Sequence, residues 1–206
     1  MSQGEQMAVK RRAETMEANR AKLIAAARKA FAEKGFAAAS MDDLTASVNL
    51  TRGALYHNFG DKKGLLAAVV TQIDGEMAQR ARDAVSDAGD DWDKLLAEGI
   101  AYIKMALDDE VRRIVLLDGP AFLGNPAQWP SQNSCLESTR QGILNMLESG
   151  VIKSVDPDAT AYLLNSAAFN AAQWIAASDD PQQSLPKVIE VFTLLVKGLR
   201  NNAGAA

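Results

Sequence analysis

The chain has 206 residues, 48% hydrophobic and 23% charged, the proportions of an ordinary globular protein of one domain or of a small domain joined to a larger one. No apolar run approaches the ~18 residues of a membrane span, the polar, basic N-terminus lacks the apolar stretch of a secretory signal, and the single cysteine, Cys135, excludes an internal disulfide and suits a reducing cytoplasm. The net charge of −4 is uneven: residues 1–63 carry 11 Lys/Arg against 7 Asp/Glu, and the rest carry 11 against 19. A basic head on an acidic body suits a polyanion at the head, although solvated helix faces produce similar imbalances.

The pattern is helical almost throughout. Leu23, Ala27, Ala30 and Phe31 share one face of a first helix over Lys22–Phe36, with Gly35 as its stop. Ser40 is an N-cap for a short second helix with acidic residues in its first turn. Asn49-Leu50-Thr51 is a tight connection in which Asn tolerates a left-handed backbone. Thr51 caps a third helix, Arg52–Phe59; Gly60 ends it, and Asp61 caps a long fourth helix to about Val85.

Beyond the polar break "DAGDD" the reading gives helices over about Trp92–Asp108 and Asp109–Leu117, then an irregular connection, "DGPAFLGNPAQWP", with three prolines and two glycines. Helices resume over about Ser131–Ser149, stopped by Gly150, and over Pro157 to about Ala177, capped by Asp156 with proline in the first turn. "SDDPQQSLP" reads as a break before a last helix, Pro186–Arg200. No segment alternates with period two for long enough to be a strand, so the fold class is all-α.

The two short helices after a longer one fit a helix-turn-helix. Leu44, Val48, Leu50, Leu55 and Phe59 point inward, and Ala54 lets the helices approach. Thr51, Arg52, Gly53, Tyr56, His57 and Asn58 are left outside. That set suits DNA. A helix N-terminus favours phosphate, Arg52 can fork onto guanine, Gly53 brings backbone close to a duplex, and Tyr56, His57 and Lys62 can reach phosphate oxygens. A core helix with a merely solvated polar side would carry similar residues.

The stretch Ser40–Leu66, with "VNLTRGALYHNF" followed by Lys62 and Leu65, resembles the DNA-binding unit of the tetracycline-repressor (TetR) family, and Lys22–Phe36 resembles the family's first helix. The resemblance covers about the first third of the chain. It implies phosphate contacts from Ser40, Tyr56, His57 and Lys62 and groove contacts from Thr51, Arg52, Gly53 and Tyr56. Three positions depart from the family pattern. Asn49 stands for a usual glycine, Thr45 for a usual alanine, and Asn58 for a common aromatic. Lys10, Arg11 and Arg12 precede the first helix as either a DNA-contacting arm or a solvated tail.

The resemblance further implies an arm and three-helix DNA-binding domain over 1–64, then a larger helical ligand-binding and dimerisation domain over 65–206. The last two long helices, one rich in small residues and one strongly apolar, would form the homodimer interface or bury against their own subunit. Trp92, Tyr102, Met105, Ile114, Leu117, Phe122, Trp129, Leu144 and Met146 are of the types that line an adaptable apolar cavity, and equally of the types that fill a core. His57 is the only histidine and sits on the outward helix, Cys135 has no patterned base, and no phosphate or dinucleotide fingerprint is present, so an enzyme, a metal site and a cofactor are not expected.

The expectation is therefore a cytoplasmic dimeric repressor that binds palindromic double-stranded DNA and is released by a small apolar or amphipathic effector. The alternatives are a ligand-independent DNA-binding regulator and a helical protein-interaction module.

Overall fold

The computed structural model describes residues 3–84 and 89–201. Nearly every described residue lies in a helix or a connecting turn. The β-type pairing among them is one antiparallel bridge, Ile152 to Arg200, which ties the turn at Gly150 to the end of the last helix.

Helix α1 spans Gln3–Ala38. The basic stretch Lys10–Arg12 is thus part of a helix, neither an extended arm nor an irregular tail. Glu, Lys, Arg, Ala and Met are all good helix formers, so propensity carries the helix outward where no apolar stripe exists. The axis breaks at Gly35, φ 77°, as the sequence predicts. A side chain there would strain the backbone and displace the guanidinium of Arg113, and the backbone conformation is what favours glycine.

Helices α2 (Met41–Ser47) and α3 (Arg52–Phe59) follow with the expected caps. Ser40 Oγ accepts from Asp43 N at 3.3 Å, and Thr51 Oγ1 from Ala54 N at 3.2 Å. Asn49 takes the left-handed conformation, φ 55°. Leu44 and Leu55 are buried with Leu23, Ala27 and Phe31 of α1, and Val48, Leu50 and Phe59 pack partly buried around them. Thr45, where the family pattern has alanine, is buried at no polar cost, because its hydroxyl lies 3.1 Å from both Met41 O and Asp42 O.

Helix α4 runs Lys62–Asp83, its N-cap Asp61 accepting from Gly64 N at 2.7 Å; the expected end near Val85 lies outside the described residues. It is the one long helix that packs both on α1 and α3 and on the later bundle. Helix α5 is Asp91–Lys104, closed by a 3₁₀ turn at Met105–Leu107. The next helical stretch widens to π geometry over Val111–Asp118 and runs straight into α6, Gly119–Leu123. The segment read as an irregular connection is therefore helical in its first part. Pro120 stands at this junction, in the first turn of α6.

Helices α7 (Pro130–Glu148), α8 (Pro157–Ala177) and α9 (Pro181–Lys197) complete the bundle, with α8 packed on α5, α7 and α9. The last helix starts five residues earlier than the sequence reading. Asp180 caps it, Pro181 occupies its first turn, and Pro186 is tolerated inside at the loss of one backbone hydrogen bond.

Candidate DNA-reading surface and effector cavity

The outer side of α3 is open. Thr51, Arg52, Gly53 and His57 are exposed, and Tyr56 keeps 50% of its surface in solvent although the ring is apolar. Arg52 Nε rests 2.8 Å from Asp42 Oδ1, and both side chains remain more than half exposed. Such a surface pair contributes at most about 1 kcal/mol, so it holds the guanidinium ready without locking it. Gly53 has no structural need to be glycine. Its φ is negative and a Cβ built on it would meet only Thr51 Oγ1, at 3.6 Å.

Two positions are held by the protein itself. Asn58 folds back, its Nδ2 donating to Ala54 O at 2.7 Å, while its backbone carbonyl accepts from Arg20, whose guanidinium also stacks on Phe59. Lys62 donates to Ala37 O at 3.2 Å and lies over the Phe36 ring; burial pulls its pKa down. Two of its three ammonium hydrogens remain for an anion. Ser40, exposed at the start of α2, is next to that corner in sequence.

The second feature lies in the bundle. Small residues facing one another, Ala78 and Ala81 on α4, Gly99 on α5 and Ala168 on α8, open a cavity with about 70 Å³ available to the centres of water-sized spheres. Phe192 of α9 is one wall, and the polar lining comes from Glu98, Tyr102, Gln132, Thr139 and Asn165. Of the aromatics, methionines and aliphatics singled out from the sequence, Tyr102 lines this space. Trp92, Met105, Ile114, Trp129 and Met146 are buried in the core, and Leu117, Phe122 and Leu144 are half-buried elsewhere.

The cavity and the head are joined by polar contacts to α4. Asp74, fully buried on α4, accepts from Tyr102 Oη at 3.3 Å and Gln132 Nε2 at 2.8 Å. Burial pushes the Asp74 carboxyl pKa up, and hydrogen bonds from Ser131, Gln132 and Tyr102 pull it partly back. Burial and the neighbouring Asp74 raise the Tyr102 phenol well above its usual range. Two residues along α4, Glu76 receives Arg28 of α1 (two bonds of 2.7 Å), and the same guanidinium forks onto Glu110 (2.6 and 2.7 Å). Hydrogen bonding to Arg28 holds the Glu76 carboxyl below its usual range. At the break in α1, Phe36 N donates to Asp118 Oδ2 at 2.7 Å, which also takes Arg113 Nε at 3.3 Å, and the Phe36 and Phe122 rings lie 4.5 Å apart.

These links escaped the sequence reading, although the signal was there. Asp74 lies among Val70, Ile73 and Met77, and Glu98 between Leu95 and Tyr102, each a carboxylate on an apolar stripe.

Residues 23–69 match the family model for bacterial regulatory proteins of the tetR family, and residues 92–199 match that for the tetracyclin repressor-like C-terminal domain. The crystal structure of a TetR-family transcriptional regulator from Pectobacterium atrosepticum superposes with a TM-score of 0.82 at 48% identity, over 91% of this chain and 96% of that one. The chain belongs to the TetR family. It is accordingly a DNA-binding transcriptional regulator. Among curated TetR-family relatives, the transcriptional repressor AcnR of Corynebacterium glutamicum is 28% identical over 142 residues, 68% of this chain and 71% of that protein. RolR in complex with resorcinol shares the TetR fold, with a TM-score of 0.66 at 21% identity over 87% of this chain and 89% of that one. No described helix is long and apolar enough to cross a membrane.

Proposed function

We propose that the chain is a cytoplasmic repressor that binds a palindromic operator as a homodimer and leaves it when a small apolar or amphipathic effector enters the bundle cavity. Residues 1–64 are the DNA-binding head and 65–206 the effector-binding and dimerisation body. It acts by occupying DNA rather than by catalysis.

The observation that carries the reading is the outer face of α3. It offers an ion-paired but exposed Arg52, a half-exposed Tyr56, an exposed His57 and a glycine that the fold does not require. In a major groove, Thr51, Arg52, Gly53 and Tyr56 meet base edges and sugar–phosphate, while Ser40, His57 and Lys62 hold phosphates on either side.

Dimerisation is assigned to α8 and α9. Tyr162, Leu163 and Trp174 on α8 and Val191, Leu194 and Leu195 on α9 are all about half exposed or more. Trp174, Val191 and Leu195 share one apolar groove between the two helices. Two copies apposed on this face bury it as a four-helix interface and set the spacing of the heads.

Coupling runs through α4, which carries Ala78 and Ala81 in the cavity wall and is tied to α1 by Arg28. An effector that shifts α4 moves the heads apart, and by linkage DNA and effector weaken each other by the same factor. The test of the DNA reading is binding to nonspecific duplex at a series of salt concentrations. The wild type shows a steep negative slope of log K on log salt, and Lys62→Gln makes it shallower by about 0.9 for each phosphate lost. A flat wild-type slope contradicts the reading.

A further inference from the structure

The inference rests on the effector reading above and concerns the chemistry of the effector. Among the described residues Glu98 is the one charged residue lining the cavity, and no Lys, Arg or His joins it there. Among the described residues its carboxylate makes no hydrogen bond or ion pair; Arg82 acts on it only through space, and burial raises its pKa. A half-buried carboxylate without a partner costs folding energy. Around it are apolar surfaces, Leu95 on its own helix and Phe192 and Val196 on α9.

Asn165 is a second polar residue of the lining. Asn165 Oδ1 accepts from Thr139 Oγ1 at 2.9 Å, while its Nδ2 is buried with no partner among the described residues. The space thus offers a carboxylate beside an aromatic wall.

We propose that this cavity selects a small organic cation of about single-ring size, an aryl- or alkylamine whose ammonium is neutralised by Glu98. An anion of the same size meets the carboxylate in a low-dielectric setting with only the distant charge of Arg82 to offset it, and is disfavoured. A neutral analogue fills the space but leaves the carboxylate unpaired. Charge-assisted hydrogen bonds are roughly twice as strong as neutral ones, and the preference for the amine follows from that difference.

The test is calorimetric titration of the full-length protein with three matched probes: 2-phenylethylamine, 2-phenylethanol and phenylacetate. The wild type binds the amine at least about tenfold more tightly than the alcohol and binds phenylacetate most weakly. Glu98→Gln keeps the shape of the side chain, removes the preference for the amine and leaves the alcohol unchanged. Ala81→Leu narrows the cavity and weakens amine and alcohol alike, with thermal melting confirming that each variant is folded.

Equal wild-type affinity for amine and alcohol, no binding of the amine, or amine binding untouched by Glu98→Gln each overturns the proposal. The underlying effector reading fails on a different result. It fails when a compound that demonstrably occupies the cavity leaves operator affinity unchanged.

Discussion

Replacing Gly53 with alanine separates folding from DNA binding, because the two respond in opposite directions. Gly53 lies in the first turn of an eight-residue helix with negative φ, and an added Cβ would meet only Thr51 Oγ1, at 3.6 Å, an ordinary contact. Glycine inside a helix costs roughly 0.5–1 kcal/mol relative to alanine, so Gly53→Ala stabilises by up to that amount. For a chain of this size the melting temperature rises by about 1–4 °C. If the bare backbone is there to approach a duplex, each new methyl group meets DNA. At about tenfold per head, a dimer with two heads loses about a hundredfold in affinity, or about 2.8 kcal/mol. Scanning calorimetry and fluorescence anisotropy at fixed salt read the two effects. A variant that is more stable and binds DNA as well as wild type refutes the placement of α3 against the duplex.

Three further outcomes follow from the same geometry. Because burial raises the Asp74 pKa in the folded state, wild-type stability falls as pH climbs from the ordinary carboxyl value of about 4 through the raised one; Asp74→Asn therefore gains on wild type between acid and neutral pH, as thermal melts would show. Glu76 has the opposite sign, so its pairing with Arg28 contributes above about pH 4 and is lost in acid; Arg28→Met costs about 1–2 kcal/mol at neutral pH, moderated by the exposure of Glu76, and the two melting curves converge at low pH. Trp174→Glu combined with Leu194→Glu places charge on the apolar α8–α9 face and shifts sedimentation from dimer to monomer while the helical signal is kept.

The parts of the fold legible in the sequence are those governed by local chemistry. Ser40, Thr51, Asp61 and Asp156 cap helices because a side-chain oxygen beside a helix start has an unpaired N–H to satisfy. Gly35, Asn49, Gly60 and Gly150 mark turns because few other residues take positive φ. The N-terminal part of α1 was hidden because a solvated helix has no apolar stripe to reveal it, and the start of α9 because Pro186 reads as a boundary when it is an interior residue. The π-type widening over Val111–Asp118 has no local signature, since side-chain packing of that segment on α1 and α8 decides it.

Of the candidate lining residues Tyr102 alone borders this cavity, for a physical reason. Large aromatics such as Trp92 fill space, whereas a cavity exists where Ala78, Ala81, Gly99 and Ala168 face each other across the bundle. Those residues look alike in sequence whether they border a void or a neighbouring helix. The outward residues of α3, by contrast, were legible because their placement follows from helix period and from which neighbours are apolar.

The most direct measurement is selection of bound sequences from a random duplex pool by the wild-type protein and by an Arg52→Ala/Tyr56→Ala variant. Both side chains are exposed, so the variant keeps its fold. The account predicts an enriched palindrome for the wild type and none for the variant. No enrichment at low salt, or the same enriched sequence with both proteins, contradicts the claim that α3 reads DNA.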